Sequence, residues 1–176
     1  MLLAVSISTA QTTILDFEEA ATSTTFQYFG SSLEGALNQV IANPNMDAVN
    51  GSAMVSEMIR PAMALDYAGV FSNPVPMTAV DCAANGKMSM KVHMDHIGTV
   101  TLKFEEPVGG GDNWAITVPN TVMNGWEELE FDFSTPSMDA PFNIATGATY
   151  GKIVIFFDLG MVGGATDVIS YVDDLV

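Results

Sequence analysis

Apolar and polar positions alternate with a period of two through most of the second half of the chain. Met88, Met90, Val92 and Met94 share one parity, and Ser89, Lys91, His93 and Asp95 take the other. Val100, Leu102 and Phe104 alternate with Thr101, Lys103 and Glu105, and Trp114, Ile116 and Val118 repeat the pattern. Leu129, Phe131 and Phe133 alternate with Glu128, Glu130 and Asp132. Successive strand side chains point to opposite faces, so each run predicts a strand with one buried side. Residues 152–157 are apolar on both parities after Lys152 and predict a central strand covered on both faces. Residues 167–174 predict the last strand. In the first half, residues 13–18, 24–29 and 53–60 read as extended. Residues 30–53 read as loop, with Asn43-Pro44-Asn45 and Asn50-Gly51-Ser52 as turn signals, and residues 61–69 as irregular. His96-Ile97-Gly98 predicts a tight turn joining two strands. No helical period competes. The expectation is an all-β fold, an antiparallel β-sandwich.

Composition narrows the class. The chain has 176 residues, 48% of them apolar, which suits one domain with a real core. Its start combines an apolar run with Ser8 and Ala10 as small residues before a cut. Residues 1–10 therefore read as a signal-peptide remnant and 11–176 as a single sandwich domain, with an apolar first strand as the alternative. The apolar run is too short to span a membrane. Five Lys+Arg against 21 Asp+Glu give a net charge of −16. That field repels nucleic acid and anionic membranes, and suits solubility or divalent cations. Cys82 is the only cysteine, so no internal disulfide forms, and its turn-like setting reads as an incidental thiol.

No catalytic signature stands out. Gly-x-Ser-x-Gly, phosphate-loop and His-Glu-x-x-His patterns are absent from the sequence. His93, Asp95 and His96 lie close together, but zinc needs three or four convergent ligands, and surface histidines are the simpler reading. The expectation is a protein that binds rather than catalyses. Candidate ring platforms are Tyr28, Tyr67, Trp114 and Trp126, with the two tryptophans equally readable as core. Tyr67 sits in the irregular stretch, where a ring can face solvent. Arg60 is the sole arginine, and Lys91, His93 and Lys103 read as facing one side of adjacent strands, a basic trio in an acidic chain. Pairing with neighbouring acids is the alternative for that trio. Acids also gather at both ends: Asp16, Glu18 and Glu19 near the start, Asp173 and Asp174 near the close.

One ordered set of segments resembles a known family. It comprises Leu15-Asp16-Phe17-Glu18, Asn43-Pro44, Val49-Asn50-Gly51-Ser52, Tyr67-Ala68-Gly69-Val70, Met88-Ser89-Met90-Lys91-Val92, and Gly98 to Lys103. It continues through Asn124-Gly125-Trp126, Phe131-Asp132-Phe133, Lys152 to Asp158 and Tyr171-Val172-Asp173-Asp174. The set resembles the carbohydrate-binding jelly-roll modules that accompany laminarinase-type glycoside hydrolases in Bacteroidetes-like secreted proteins. Tyr67 stands where that family commonly has tryptophan, and lysine is scarcer here. The resemblance implies a galactose-binding-like sandwich, a secreted or cell-surface setting, and binding of a β-glucan-type polysaccharide. It also implies a structural calcium ion between the first and last strands, held by Asp16, Glu18, Asn50, Ser52 and Asp174. Ligand contacts would come from Tyr67, Arg60, Lys91, His93, Lys103 and Trp114. The rival expectation is a self-assembling structural or adhesive subunit, since twelve methionines provide adaptable apolar surface.

Overall fold

A computed structural model describes residues 13–18, 25–73, 86–105, 113–134 and 151–176. Cys82, Glu19, the first twelve residues and the Gly109-Gly110-Gly111 run lie outside them. Ten strands occur among the described residues: β1 Thr25–Phe29, β2 Gln39–Ala42, β3 Met54–Arg60, β4 Gly69–Asn73, β5 Lys87–Met94, β6 Thr99–Glu105, β7 Asn113–Pro119, β8 Gly125–Asp132, β9 Lys152–Phe157 and β10 Val168–Asp173. They form two antiparallel five-stranded sheets, ordered β1-β4-β9-β6-β7 and β2-β3-β10-β5-β8. Among the described residues no helix is long and apolar enough to cross a membrane.

The period-two residues meet between the sheets. Met88, Met90, Val92 and Met94 of β5 and Leu129 and Phe131 of β8 pack against Val100, Leu102 and Phe104 of β6 and Ile153, Ile155 and Phe157 of β9. Trp114 joins them from β7, its ring edge-on to Phe133 at 5.9 Å. A polar link crosses the core: Asn38 Oδ1 accepts the Phe26 N–H at 2.5 Å, and Asn38 Nδ2 donates to Ser56 Oγ. Both atoms of that buried carboxamide are thereby satisfied, tying the edge of one sheet to the other.

Two expectations change. Residues 30–53 contain β2, a four-residue edge strand paired to β3. His96-Ile97-Gly98 does not close a hairpin. β5 and β6 lie in different sheets, so this segment crosses from one layer to the other. Leu15 and Leu175 form an antiparallel bridge, and Ser89 and Val176 exchange two backbone hydrogen bonds. Asp173 pairs with Lys91 but Val176 bonds to Ser89, so the chain after β10 carries one extra residue there. That is a bulge, and Asp174 sits in it at φ +44°.

Candidate functional site

The outer face of the β1-β4-β9-β6-β7 sheet holds a groove of about 400 Å³. Strand register builds it in rows. One row runs Phe29, Gly69, Phe156, Thr101, Thr117, and the next runs Gln27, Phe71, Val154, Lys103, Ala115. The left half is therefore aromatic and the right half polar. Phe29 stands edge-on to Phe156 at 5.7 Å and tilted against Phe71 at 6.1 Å. These rings cover Phe156 and Val154, which are buried although they face outward. Gly69 makes the tight fit possible, because a β-carbon there would lie 2.8 Å from both Ile155 O and the Phe156 ring.

Tyr67, 54% exposed, and Leu159 close one end. The polar half centres on Glu105. Lys152 Nζ lies 2.6 Å from its Oε2 and Lys103 Nζ 3.2 Å from its Oε1. Burial pushes the Glu105 carboxyl up, but Lys152 and then Lys103 outweigh it and hold the group below the usual carboxylate range. Lys152 also sits over the Phe71 ring at 4.8 Å, which joins the two halves through a cation–π contact.

Of the expected ligand contacts, Tyr67 and Lys103 come together in this groove. The others do not. Arg60 ends β3 pointing inward: its guanidinium donates to Phe157 O at 2.6 Å, to Leu65 O at 3.4 Å and to Met161 O. Trp114 is core. Tyr28 is buried, and its hydroxyl accepts the Ile59 N–H at 2.9 Å. Lys91 and His93 lie on β5 in the opposite sheet, so the basic trio is divided between two faces. Neither histidine is a free surface group. His93 is buried beside Trp126 and Tyr171, and His96 bridges Asp95 and Asp158. Trp126 is buried, yet on the outer side of its sheet, where Asp47 Oδ2 accepts its backbone N–H at 3.4 Å. Phe29, Phe71, Glu105, Lys152 and Phe156 were missed. The available signal was the outward parity of residues 152–157, where an open sheet face would carry polar groups.

The acids at the chain ends divide as well. Asp174 Oδ2 lies 2.7 Å from Lys91 Nζ. Asp16 Oδ1 accepts the Glu18 N–H, and Glu18 Oε1 accepts the Met54 N–H at 3.1 Å. The carboxylate beside Asn50 and Ser52 is that of Asp173, fully buried. Burial raises its pKa, Ser52 lowers it, Asp174 raises it and Asn50 lowers it, leaving it raised overall. Its Oδ1 accepts the Asp174 N–H at 3.0 Å; the Ser52 and Asn50 side chains lie near enough to lower its pKa, but among the described residues neither Oδ2 nor Asn50 Nδ2 makes a well-formed hydrogen bond. A buried carboxylate oxygen so poorly satisfied is costly and suits a cation.

No protein-family model and no curated protein matches the sequence. Solved structures do match the fold. The family 11 carbohydrate-binding module of cellulosomal cellulase Lic26A-Cel5E of Clostridium thermocellum is similar at TM-score 0.56 and 14% identity, covering 96% of this chain and 94% of that one. The family 30 module of cellulosomal cellulase Cel9D-Cel44B, also of Clostridium thermocellum, is similar at 0.53 and 9%, covering 93% and 94%. An exo-β-agarase is similar at 0.61 and 9%, covering 93% of this chain but 24% of that one. At such identities the likeness is one of fold: an all-β sandwich of two antiparallel sheets.

Proposed function

We propose that this chain is a non-catalytic carbohydrate-binding module that holds a β-glucan-type polysaccharide in the groove over β1, β4, β9, β6 and β7. The carrying observation is the two-sided groove, aromatic on one half and hydrogen-bonding on the other. Pyranose rings present apolar C–H faces and polar edges, and such a groove matches both. Tyr67 offers a ring face. Glu105, kept ionised, accepts from hydroxyls, while Lys103 and Lys152 donate. That two of the similar folds are modules of cellulases supports the glucan class. A glycosidase needs two carboxyl groups about 5–9.5 Å apart. Among its described lining residues the groove holds one, Glu105, with a lysine on each oxygen.

Affinity electrophoresis against laminarin, lichenan and xylan tests the reading. Retardation is expected with at least one β-glucan, and Tyr67→Ala should weaken it about tenfold, about 1.4 kcal/mol. No retardation in any gel, or a Tyr67→Ala protein that binds like the parent, overturns it.

The reading includes a structural calcium ion. The buried Asp173 carboxylate, Asn50, Ser52 and Glu18 would supply the oxygens that calcium prefers, and the poorly satisfied Asp173 Oδ2 suits that need. Asp16 fixes the turn that carries Glu18. The ion would neutralise buried charge where residues 15–18 meet the end of β10.

Self-assembly is favoured by one observation. Met63, Leu65, Met161 and Val162 are exposed on two loops clamped to each other by Met63–Gly164 and Gly163–Ala64 hydrogen bonds. Light scattering decides it: a monomer at high concentration excludes assembly.

A further inference from the structure

The opposite face of the sandwich carries a second depression of about 380 Å³, close to the groove in volume and within the range of small-ligand sites. It lies over β5 and β10. His93 and Tyr171 form its floor as cross-strand partners, their rings edge-on at 5.7 Å. His93 is 7% exposed, and its buried Nδ1 has no hydrogen-bond partner among the described residues. Asn45, Asn124, Asp95 and Asp167 make the walls, each from a different loop.

Both carboxylates are oriented by one oxygen. Asp95 Oδ1 lies 2.7 Å from His96 Nδ1, and Asp167 Oδ1 accepts the Ala62 N–H at 2.8 Å. The second oxygen of each remains to accept from a ligand. Two carboxamides add donors as well as acceptors. No lysine or arginine is among the described residues that line the depression. Nor, among the described residues, does any group of three or more His, Cys, Asp or Glu side chains form a cluster able to hold a metal ion. Convergent planar polar groups around a ring recognise a polyhydroxylated molecule better than an ion or an anion. The amides and carboxylates meet its hydroxyls, and Tyr171 covers a C–H face.

We propose that this depression is a second sugar-binding site, so that one module engages two glycan chains, one on each sheet. The proposal shares the ligand class of the groove reading and rests on it for that alone. Two sites on opposite faces would crosslink polysaccharide and strengthen attachment to a dense matrix through avidity.

Calorimetric titration of the full chain with laminarihexaose, and separately with cellohexaose, tests this. Two binding events per chain are expected with at least one of them. Tyr171→Ala, and the gentler pair Asn45→Ala with Asp167→Asn, should each weaken one event at least tenfold and leave the other. Tyr67→Ala should do the converse. Thermal unfolding of each variant establishes that it is folded. A single event, lost in Tyr67→Ala and unchanged in Asn45→Ala/Asp167→Asn, overturns the second site and leaves the groove reading standing. A single event with the reverse pattern overturns the groove reading and keeps this one. No heat with either hexasaccharide overturns both.

Discussion

Arg60 is the sole arginine, and it is spent on backbone carbonyls. Its guanidinium reaches β9 through Phe157 O and the two loops that carry Tyr67 and Leu159 through Leu65 O and Met161 O. A planar fork with five donors is the side chain suited to that task. Burial pulls its pKa down, while Asp158 and then Asp66 work the other way. Arg60→Met keeps much of the stem but leaves those carbonyls without a donor. Each orphaned buried group costs about 1–3 kcal/mol, so a loss of about 2–4 kcal/mol is expected in urea unfolding. The same variant should loosen Tyr67 and weaken glycan binding. An unchanged midpoint refutes the structural role and reopens Arg60 as a surface contact. Parity along β3 carried this information in part, since Met58 and Arg60 share a side. What sequence could not show was a ring of carbonyls waiting at the end of an inward-facing row.

Among elements, the β5–β6 crossover is the most informative. It passes between layers and is pinned where it meets the segment after β9. His96 Nδ1 lies 2.7 Å from Asp95 Oδ1, and Nε2 lies 2.8 Å from Asp158 Oδ2. Asp158 Oδ1 also accepts the Thr99 N–H at 3.0 Å. Gly98 leaves room for this clamp, because a β-carbon there would collide with Asp158 Oδ1 and His96 Nε2 and displace them. Burial lowers the His96 pKa, but Asp95 and Asp158 outweigh it and leave it raised above 6.5. A histidine with a raised folded pKa stabilises the fold fully below its unfolded value and loses that contribution as pH rises through the folded one. The melting temperature should therefore fall as pH rises from about 6.5, the ordinary histidine value, through the raised pKa. His96→Gln should flatten that slope, and a parent whose melting point is level from pH 6 to 8 contradicts the clamp. The strands flanking this crossover were legible because a half-buried strand imposes period two on its own residues. Which sheet each strand joins was not, because pairing is a long-range choice. The same limit split Lys91 and His93 from Lys103 and hid β2, whose four residues Gln39–Ala42 are too few to show a period. Glu105 and Lys152 became partners only once β6 and β9 were neighbours.

At the scale of the whole molecule, residues 14–18 are brought beside the end of β10 in a protein of net charge −16. Leu15 bridges Leu175, and the antiparallel sense runs Glu18 back alongside the end of β10. Asp173 is buried there, and among the described residues its Oδ2 makes no well-formed hydrogen bond. Without a cation, an ionised carboxylate in that position opposes folding. A calcium ion bound only by the folded state stabilises it by about 2.7 kcal/mol at a hundredfold excess over its dissociation constant, a rise of about 5–10 °C in melting temperature. Chelation should remove that rise. Diffuse screening of the acidic surface makes a competing forecast, since any salt would then do. Three variants separate the two. Asp173→Asn replaces the buried charge with a neutral group that can still accept the Asp174 N–H, so it should melt higher than the parent in chelator and gain little from calcium. Asp174→Asn, which loses an ion pair to Lys91, should keep the calcium response. Glu18→Gln should reduce the response without raising the melting point in chelator, because Glu18 is exposed and carries no burial cost. If sodium at matched ionic strength reproduces the calcium effect in the parent, or if Asp173→Asn responds to calcium as the parent does, no ion is shared at the closure and the acids there act only through the general field.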